Sequence, residues 1–574
     1  MFKTRIWLPL VFLMSLVLIV LSACGQTSPT TKSPTTPTTP ATGTTSPVSS
    51  PTLAANQVLV VNLAGEPATI DPNKASWASE RSVIMQVFEG LLAFNQDLTL
   101  KAETAAEIPT VQNGGISADG LTYTFKLRPD VTWSDGKKVT AKDYVYSIKR
   151  MLSPEVASEY ASFYYAIVGA EEYNGAADKD EATKAQLRDA VGVRAVNDTT
   201  LEIKLVQPLP TFLQLMALWP VYPVREDIIT AHGDKWTEPP NYIGNGPFIL
   251  KEWVHQDHMT FVPNPNYWGT KPKLTTITYK MITDANAAFA AYKNNELHIT
   301  APPVGTEKAT MADPVLSKEI VRYPELVTFA FQFNVTKPPF DNVKVRQAFS
   351  CAIDREAFVN NVRSGVGKPA YSWIPPGMPG HDPELGKEYA FNPTKAKQLL
   401  AEAGYSDLSK LPEIKFQFSD TAGNRTIAQF LQGQMKDNLG INITLEPMES
   451  KAFTQLVNAG NHTWAWFGWG ADYPDPDNWL PQLFGTKAGN NHTLYSNPQF
   501  DAIAKQALSE LDNTKRLQLW AQAQKIVMAD APIVTIFYRE RFVLVKPSVK
   551  GLKTTGMDGQ IAGDMFFKEV YLAP

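Results

Sequence analysis

The chain has 574 residues, 53 Lys+Arg against 57 Asp+Glu, and two cysteines. At roughly 100–200 residues per domain this length requires more than one domain, and a hydrophobic fraction of 44% with 11% aromatics excludes global disorder. A formal net charge of −4 argues against nucleic acid as a partner, because phosphate binding needs a clustered basic surface. Two cysteines allow one bridge at most and exclude a Cys-rich metal site.

Lys3 and Arg5 precede an apolar run from Ile6 to Leu21, interrupted by Pro9. The run is shorter than the ~20 residues that span a bilayer, so it predicts an export signal over residues 1–23. Leu21-Ser22-Ala23 before Cys24 resembles a lipobox, which implies lipid on Cys24 and a membrane anchor on the outer face; cleavage beside an incidental cysteine is the alternative. Several acyl chains hold durably where one holds weakly. Residues 24–55 are rich in Thr, Ser and Pro, with Lys32 as the only charge. Without apolar periodicity they predict an extended tether. An acylated Cys24 leaves Cys351 without a disulfide partner.

The body opens with a strand at Val58–Leu63. Leu121–Leu127 and Thr200–Leu205 alternate with period two and predict half-buried strands. Thr140 is a candidate N-cap for a helix over Ala141–Met151. Lys344–Asn360 carries helical spacing, with Cys351 as a buried small hydrophobe within it. Asn392-Pro393 opens a helix through Leu400 that Gly404 stops, and Arg425–Asn438 predicts another, ended by Gly440 before a strand at Ile441–Leu445. This mixture predicts α/β packing.

Candidate chemistry is sparse. His255 and His258 are spaced H-x-x-H, but lack the intervening glutamate of a zinc helix and read as surface histidines. Gly244-Asn245-Gly246-Pro247 reads as a tight turn, since proline removes a donor that a phosphate loop needs. No G-x-S-x-G elbow occurs. Asp472, Asp475 and Asp477 crowd one loop, out of register for an EF-hand. Four of the 13 tryptophans fall between Trp464 and Trp479. Such a stretch reads either as core strand or as a wall that stacks on a flat ligand or clasps an ammonium group beside a carboxylate.

Several segments occur in one order: Ile70-Asp71-Pro72, Phe88–Leu92, Tyr123–Arg128 with Trp133–Gly136, Gly244–Phe248, Asn264–Gly269, Pro339–Ala348 leading into Ala352–Arg355, Gly468–Pro476 and Pro532–Tyr538. Together they resemble the extracellular solute-binding proteins of family 5, the oligopeptide- and dipeptide-binding components of ABC importers. The resemblance implies an α/β, two-lobed periplasmic-binding-protein fold (type II, large peptide-binding subclass) with an extra subdomain on lobe I. Lobe I would span residues 56–325, with the inserted subdomain near 92–221 and a return over 531–574. The hinge would lie at 326–333 and lobe II at 331–530. Asp472 stands where relatives pair the ligand's α-ammonium, with Trp469 and Gly470 in the same pocket. Arg425 resembles the arginine that receives the ligand carboxylate in dipeptide-binding relatives, and Glu66 a second acid near the ammonium. One departure is Trp466, where oligopeptide-binding relatives can carry arginine. It turns the expectation towards short peptides held through Arg425, or towards another ligand.

The function implied is a lipid-anchored, extracytoplasmic receptor that captures peptides and delivers them to ABC permease subunits. It would act as a monomer, without cofactor, metal, nucleic acid or enzymatic activity. The rivals are the same fold with an oligosaccharide or metal chelate, and a tethered hydrolase. The hydrolase needs a nucleophile with its base or two facing carboxylates, for which the loop of Asp472, Asp475 and Asp477 is the source.

Overall fold

A computed structural model of the chain describes residues 53–574. The expected signal segment, Cys24 and all but the last residues of the expected tether lie outside the described residues. The predicted strand at the start of the body is Val58–Asn62 (β1), with Leu59 and Val61 buried and its other residues half-buried. It is a central strand of an 11-stranded sheet. The others, in chain order, are β2 (Phe248–Val254), β3 (His258–Pro263), β4 (Thr276–Lys280), β5 (Ile299–Thr300), β6 (Ile320–Phe333), β7 (Lys415–Ser419), β8 (Thr444–Met448), β9 (Trp464–Gly470) and β10 (Ile533–Val545). The spatial order is β8-β7-β9-β6-β10-β5-β1-β4-β3-β2, with the short strand Lys368–Pro369 paired to β10. The chain therefore builds one end of the sheet, crosses on β6, builds the other end, and returns on β10.

The segment between β1 and β2 adds a separate three-stranded sheet in the order Thr122–Lys126, Thr200–Lys204, Val193–Asn197. Against it lies the helix Ala141–Met151, whose expected N-cap Thr140 forms a capping box with Asp143. Tyr144, Ile148 and Met151 recur at helical spacing and are fully buried. At ~1.5–3 kcal/mol per large apolar side chain, such burial outweighs any propensity term.

Two sequence expectations shift. The helix expected over Lys344–Asn360 breaks into Val343–Cys351 and Arg355–Ala357, continued by a π-turn at Phe358–Val362. The break serves Arg355, a buried guanidinium that donates to the carbonyls of Ala370 (3.0 Å) and Thr535 (2.7 Å). The strand expected at Ile441–Leu445 forms at Thr444–Met448 instead. Ile441 and Ile443 leave the helix Ala422–Leu439 through Gly440 at φ 76° and fill the core below.

β6 and β10 join the two ends of the sheet. Residues 320–324 of β6 pair with 540–544, and residues 328–332 with 533–538; the register slips between Pro324 and Thr328 and again between Phe329 and Ala330. Glu325 sits in that slip, with its side chain 8% exposed, between Arg539 (Nε–Oε2 2.6 Å) and Arg541 (Nη2–Oε1 2.7 Å). Burial works to raise its pKa, but the two guanidiniums prevail and hold the carboxyl below its ordinary range. The end of the chain is fastened to the first lobe: Lys568 Nζ donates to Glu89 (2.7 Å) and Glu103 (2.5 Å).

A second crossing joins the inserted segment to the loop after β9. Thr211 Oγ1 donates to Asp477 Oδ2 at 2.8 Å, and both residues are buried. Neighbouring Asp475 is held by both terminal nitrogens of Arg516 at 2.7 Å. Burial, with the Asp475 charge adding to it, pushes the Asp477 carboxyl up to about 7.

Two outcomes follow from these crossings. Glu325→Gln removes the anion shared by two arginines; the half-exposed Arg539 moderates the loss to about 2–3 kcal/mol, read as a lower urea midpoint. Asp477 has a raised folded pKa, so the native state holds its proton more tightly than the unfolded chain. Its contribution is present below pH ~4 and declines as pH rises towards 7. Asp477→Asn is expected to flatten the stability profile between pH 4 and 7 and to gain ~1–3 kcal/mol at pH 8. An unchanged profile in urea titrations would remove Asp477 as its source.

Candidate ligand-binding site between the lobes

β9 places its aromatic residues in two environments. Trp464 is fully buried among Phe331, Phe333, Phe340 and Phe416. Trp466, Phe467 and Trp469 are half-buried and, with Phe329, Phe453 and Val457, wall a hollow of about 440 Å³. Trp466 lies parallel to Phe329 at 5.3 Å and 9°, and Phe329 parallel to Phe537 at 5.0 Å and 5°. Gly468 makes this layer possible: a Cβ there would meet the Phe329 ring at 2.5 Å. Gly470 ends the strand opposite Val327 and leaves its backbone exposed.

Asp472 follows two residues later. The Tyr160 hydroxyl donates to its Oδ1 at 2.9 Å and the Asn478 amide to its Oδ2 at 3.0 Å. Both donors are neutral, and among the described residues no cation lies within ion-pair distance of Asp472. Burial raises its pKa, while the bonds from Asn478 and Tyr160 and the more distant Arg81 act against that rise. Tyr160 comes from the inserted segment and packs edge-on against Trp219 at 5.0 Å. The site thus joins segments 312 residues apart through a carboxylate with no counter-charge.

A second cleft, of about 710 Å³, is lined by Asn62 of β1, Thr300 of β5 and Arg541 of β10 together with Arg363 and Val366. Arg539 lines both this cleft and the aromatic hollow. Arg363 is half-buried, sits 5.1 Å from the centroid of the Phe537 ring, and has no ion-pair partner among the described residues. Its buried Nε makes no hydrogen bond, and burial lowers its pKa. The guanidinium is therefore available to an anion entering the cleft.

The residues named from sequence fall into two groups. Asp472, Trp469 and Gly470 stand together. Arg425 lies in the first turn of the helix Ala422–Leu439, exposed and bonded through Nε and Nη2 to Asp420 (2.5 and 2.6 Å). Glu66 lines a separate surface hollow, where His255 (2.5 Å) and the Gln256 amide (3.0 Å) hold it. His258 instead meets Asp257 and Glu252, so the H-x-x-H pair does not converge. The three loop aspartates also part: Asp475 goes to Arg516, Asp477 to Thr211 and Asp472 to Tyr160. No group of three or more His, Cys, Asp or Glu is arranged for a metal among the described residues. Tyr160, Asn478, Arg363 and Arg539 were not foreseen. Tyr160 lies 312 residues from Asp472, and Arg363 follows the broken helix without a motif.

The description "Bacterial extracellular solute-binding proteins, family 5 Middle" matches residues 104–491. The periplasmic oligopeptide-binding protein OppA of Salmonella typhimurium is 33% identical over 528 residues, covering 91% of this chain and 93% of that protein. Among solved structures, the unliganded open form of the murein tripeptide-binding protein MppA superposes with a TM-score of 0.76 at 30% identity, covering 91% of this chain and 98% of that one. Haemophilus influenzae OppA in complex with RPPGFSPFR gives a TM-score of 0.70 at 26% identity, covering 91% and 100%. With the continuous match, the shared two-lobed architecture and the interlobe hollow in agreement, the chain belongs to family 5 of the bacterial extracellular solute-binding proteins.

Proposed function

We propose that this protein captures peptides between its lobes and delivers them to an ABC permease, without covalent chemistry. One observation carries the reading. The interlobe region holds a half-buried carboxylate without a cation, at Asp472, and a half-buried guanidinium without an anion, at Arg363. A peptide in zwitterionic form supplies both missing charges. Its α-ammonium forms a charge-assisted bond to Asp472 beside Trp469 and Gly470, and its carboxylate meets the planar fork of Arg363. Arg425 takes that role only by exchanging Asp420 for the ligand, and Glu66 only by leaving His255.

Division of the chain follows the same reading. Lobe I comprises 56–325 and 531–574 with the inserted segment 92–221; the hinge lies at 326–333 and lobe II over 331–530. Ligand bridging both lobes stabilises the closed form, and the permease reads that population shift. Export by residues 1–23, lipid on Cys24 and the tether to residue 55 hold the receptor as a monomer on the outer face of the membrane.

Calorimetry with a di- to pentapeptide series tests the reading. Asp472→Asn is expected to weaken a free peptide at least tenfold, and N-acetylation to weaken the parent's binding by a similar factor. The two losses are non-additive, because each removes the same ion pair. Sugar binding without peptide binding would overturn the proposal. Amidating the carboxylate weakens binding to the parent and to Arg425→Ala, but not to Arg363→Ala. Amide sensitivity lost in Arg425→Ala and kept in Arg363→Ala would reverse that assignment.

A further inference from the structure

We infer that the hollow beside Asp472 is a selectivity pocket for an aromatic side chain of the bound peptide, with Trp466 as the residue that sets the preference; this rests on the peptide reading above. The pocket's apolar walls are Phe329, Phe453, Val457, Trp466, Phe467 and Trp469, and its polar lining includes the neutral Gln332, Thr454 and Asn458. They contain no carboxylate. The single charged lining group is Arg539, already held by Glu325 at 2.6 Å. His492 also borders the hollow, and burial lowers its pKa, which keeps the imidazole neutral.

Each class of side chain meets a different fate in such a pocket. A lysine would surrender its hydration without gaining a counter-ion. An aspartate would have to compete with Glu325 for Arg539. A methyl group would leave most of the 440 Å³ unfilled. An aromatic ring gains both burial and ring contact, because edge-on and offset geometries with Trp466, Phe329 and Phe453 favour it beyond area alone. The Trp466–Phe329 layer is ordered before ligand arrives, parallel to within 9°. Little side-chain entropy therefore remains to be lost on binding.

The position along the peptide follows from the strand. Trp466 lies four residues before the end of β9 at Gly470 and Asp472 two residues beyond it, and an extended chain advances ~3.3 Å per residue. A peptide whose ammonium sits on Asp472 thus presents its second or a later side chain to Trp466, not its first.

The test is a scan of tetra-alanine in which phenylalanine, lysine or aspartate replaces each alanine in turn, read by calorimetry. The expected result is a gain of about tenfold for phenylalanine at one position beyond the first, with lysine and aspartate weaker than alanine there. In Trp466→Ala the ratio of phenylalanine to alanine peptide falls to near one. Trp466→Phe retains part of it. This ratio is independent of any general loss of affinity in the variants. Tetra-alanine binding with a flat profile overturns the pocket and leaves the peptide receptor standing. A preference that survives Trp466→Ala overturns the assignment to Trp466. Failure of every peptide to bind overturns the receptor reading and the pocket with it.

Discussion

The pairing of β6 with β10 is the constraint on which the rest depends. These two antiparallel strands connect the two ends of the sheet: β6 carries β9 along one stretch, and β10 carries β5 at one end and Lys368–Pro369 further along. A slip of register there is tolerable only if the backbone and side chains around it are compensated. Glu325 supplies that compensation by drawing Arg539 and Arg541 onto one carboxylate. Arg539 then also faces the aromatic hollow, so the hinge and the binding surface share a residue.

The placement of charge follows from the same arrangement. Several buried acids are matched by a cation, as Asp475 is by Arg516 and Glu103 by Lys568. Asp472 sits just beyond the end of β9 and, like Asp477, is reached only by neutral donors. Arg363 is its counterpart of opposite sign, a guanidinium without an ion-pair partner among the described residues. Leaving these groups unmatched is unfavourable for the empty protein, and the mismatch gives a doubly charged ligand its advantage over water.

Much of the fold was legible in local sequence. Thr140 and the apolar spacing after it announced their helix, the alternation at Thr122–Lys126 announced its strand, and the Gly-Trp segment drew attention to Asp472. What stayed hidden was set by distant partners. Nothing near Arg355 shows that its guanidinium would reach Thr535 and break a helix to do so. Nothing near Arg425 shows that Asp420, five residues away, would occupy it, since both residues read as solvated charges. Tyr160 carries no motif, and its role exists only because the inserted segment folds back over the loop after β9. The tryptophan cluster was ambiguous for a physical reason: Trp464 is buried in the core, while Trp466, Phe467 and Trp469 further along the same strand line a hollow, so both readings hold on one strand.

The chain's last strand also bears on when folding finishes. β5 near residue 300 has its partner at Val545 and Leu544, and Gln57 exchanges bonds with Leu572 across 515 positions. The first lobe cannot close its sheet or seat its N-terminal edge until the C-terminus has been synthesised. Contacts of such long sequence separation form slowly, because loop-closure entropy must be met first. A nascent chain of this topology therefore completes its large sheet only after its last strands have been made.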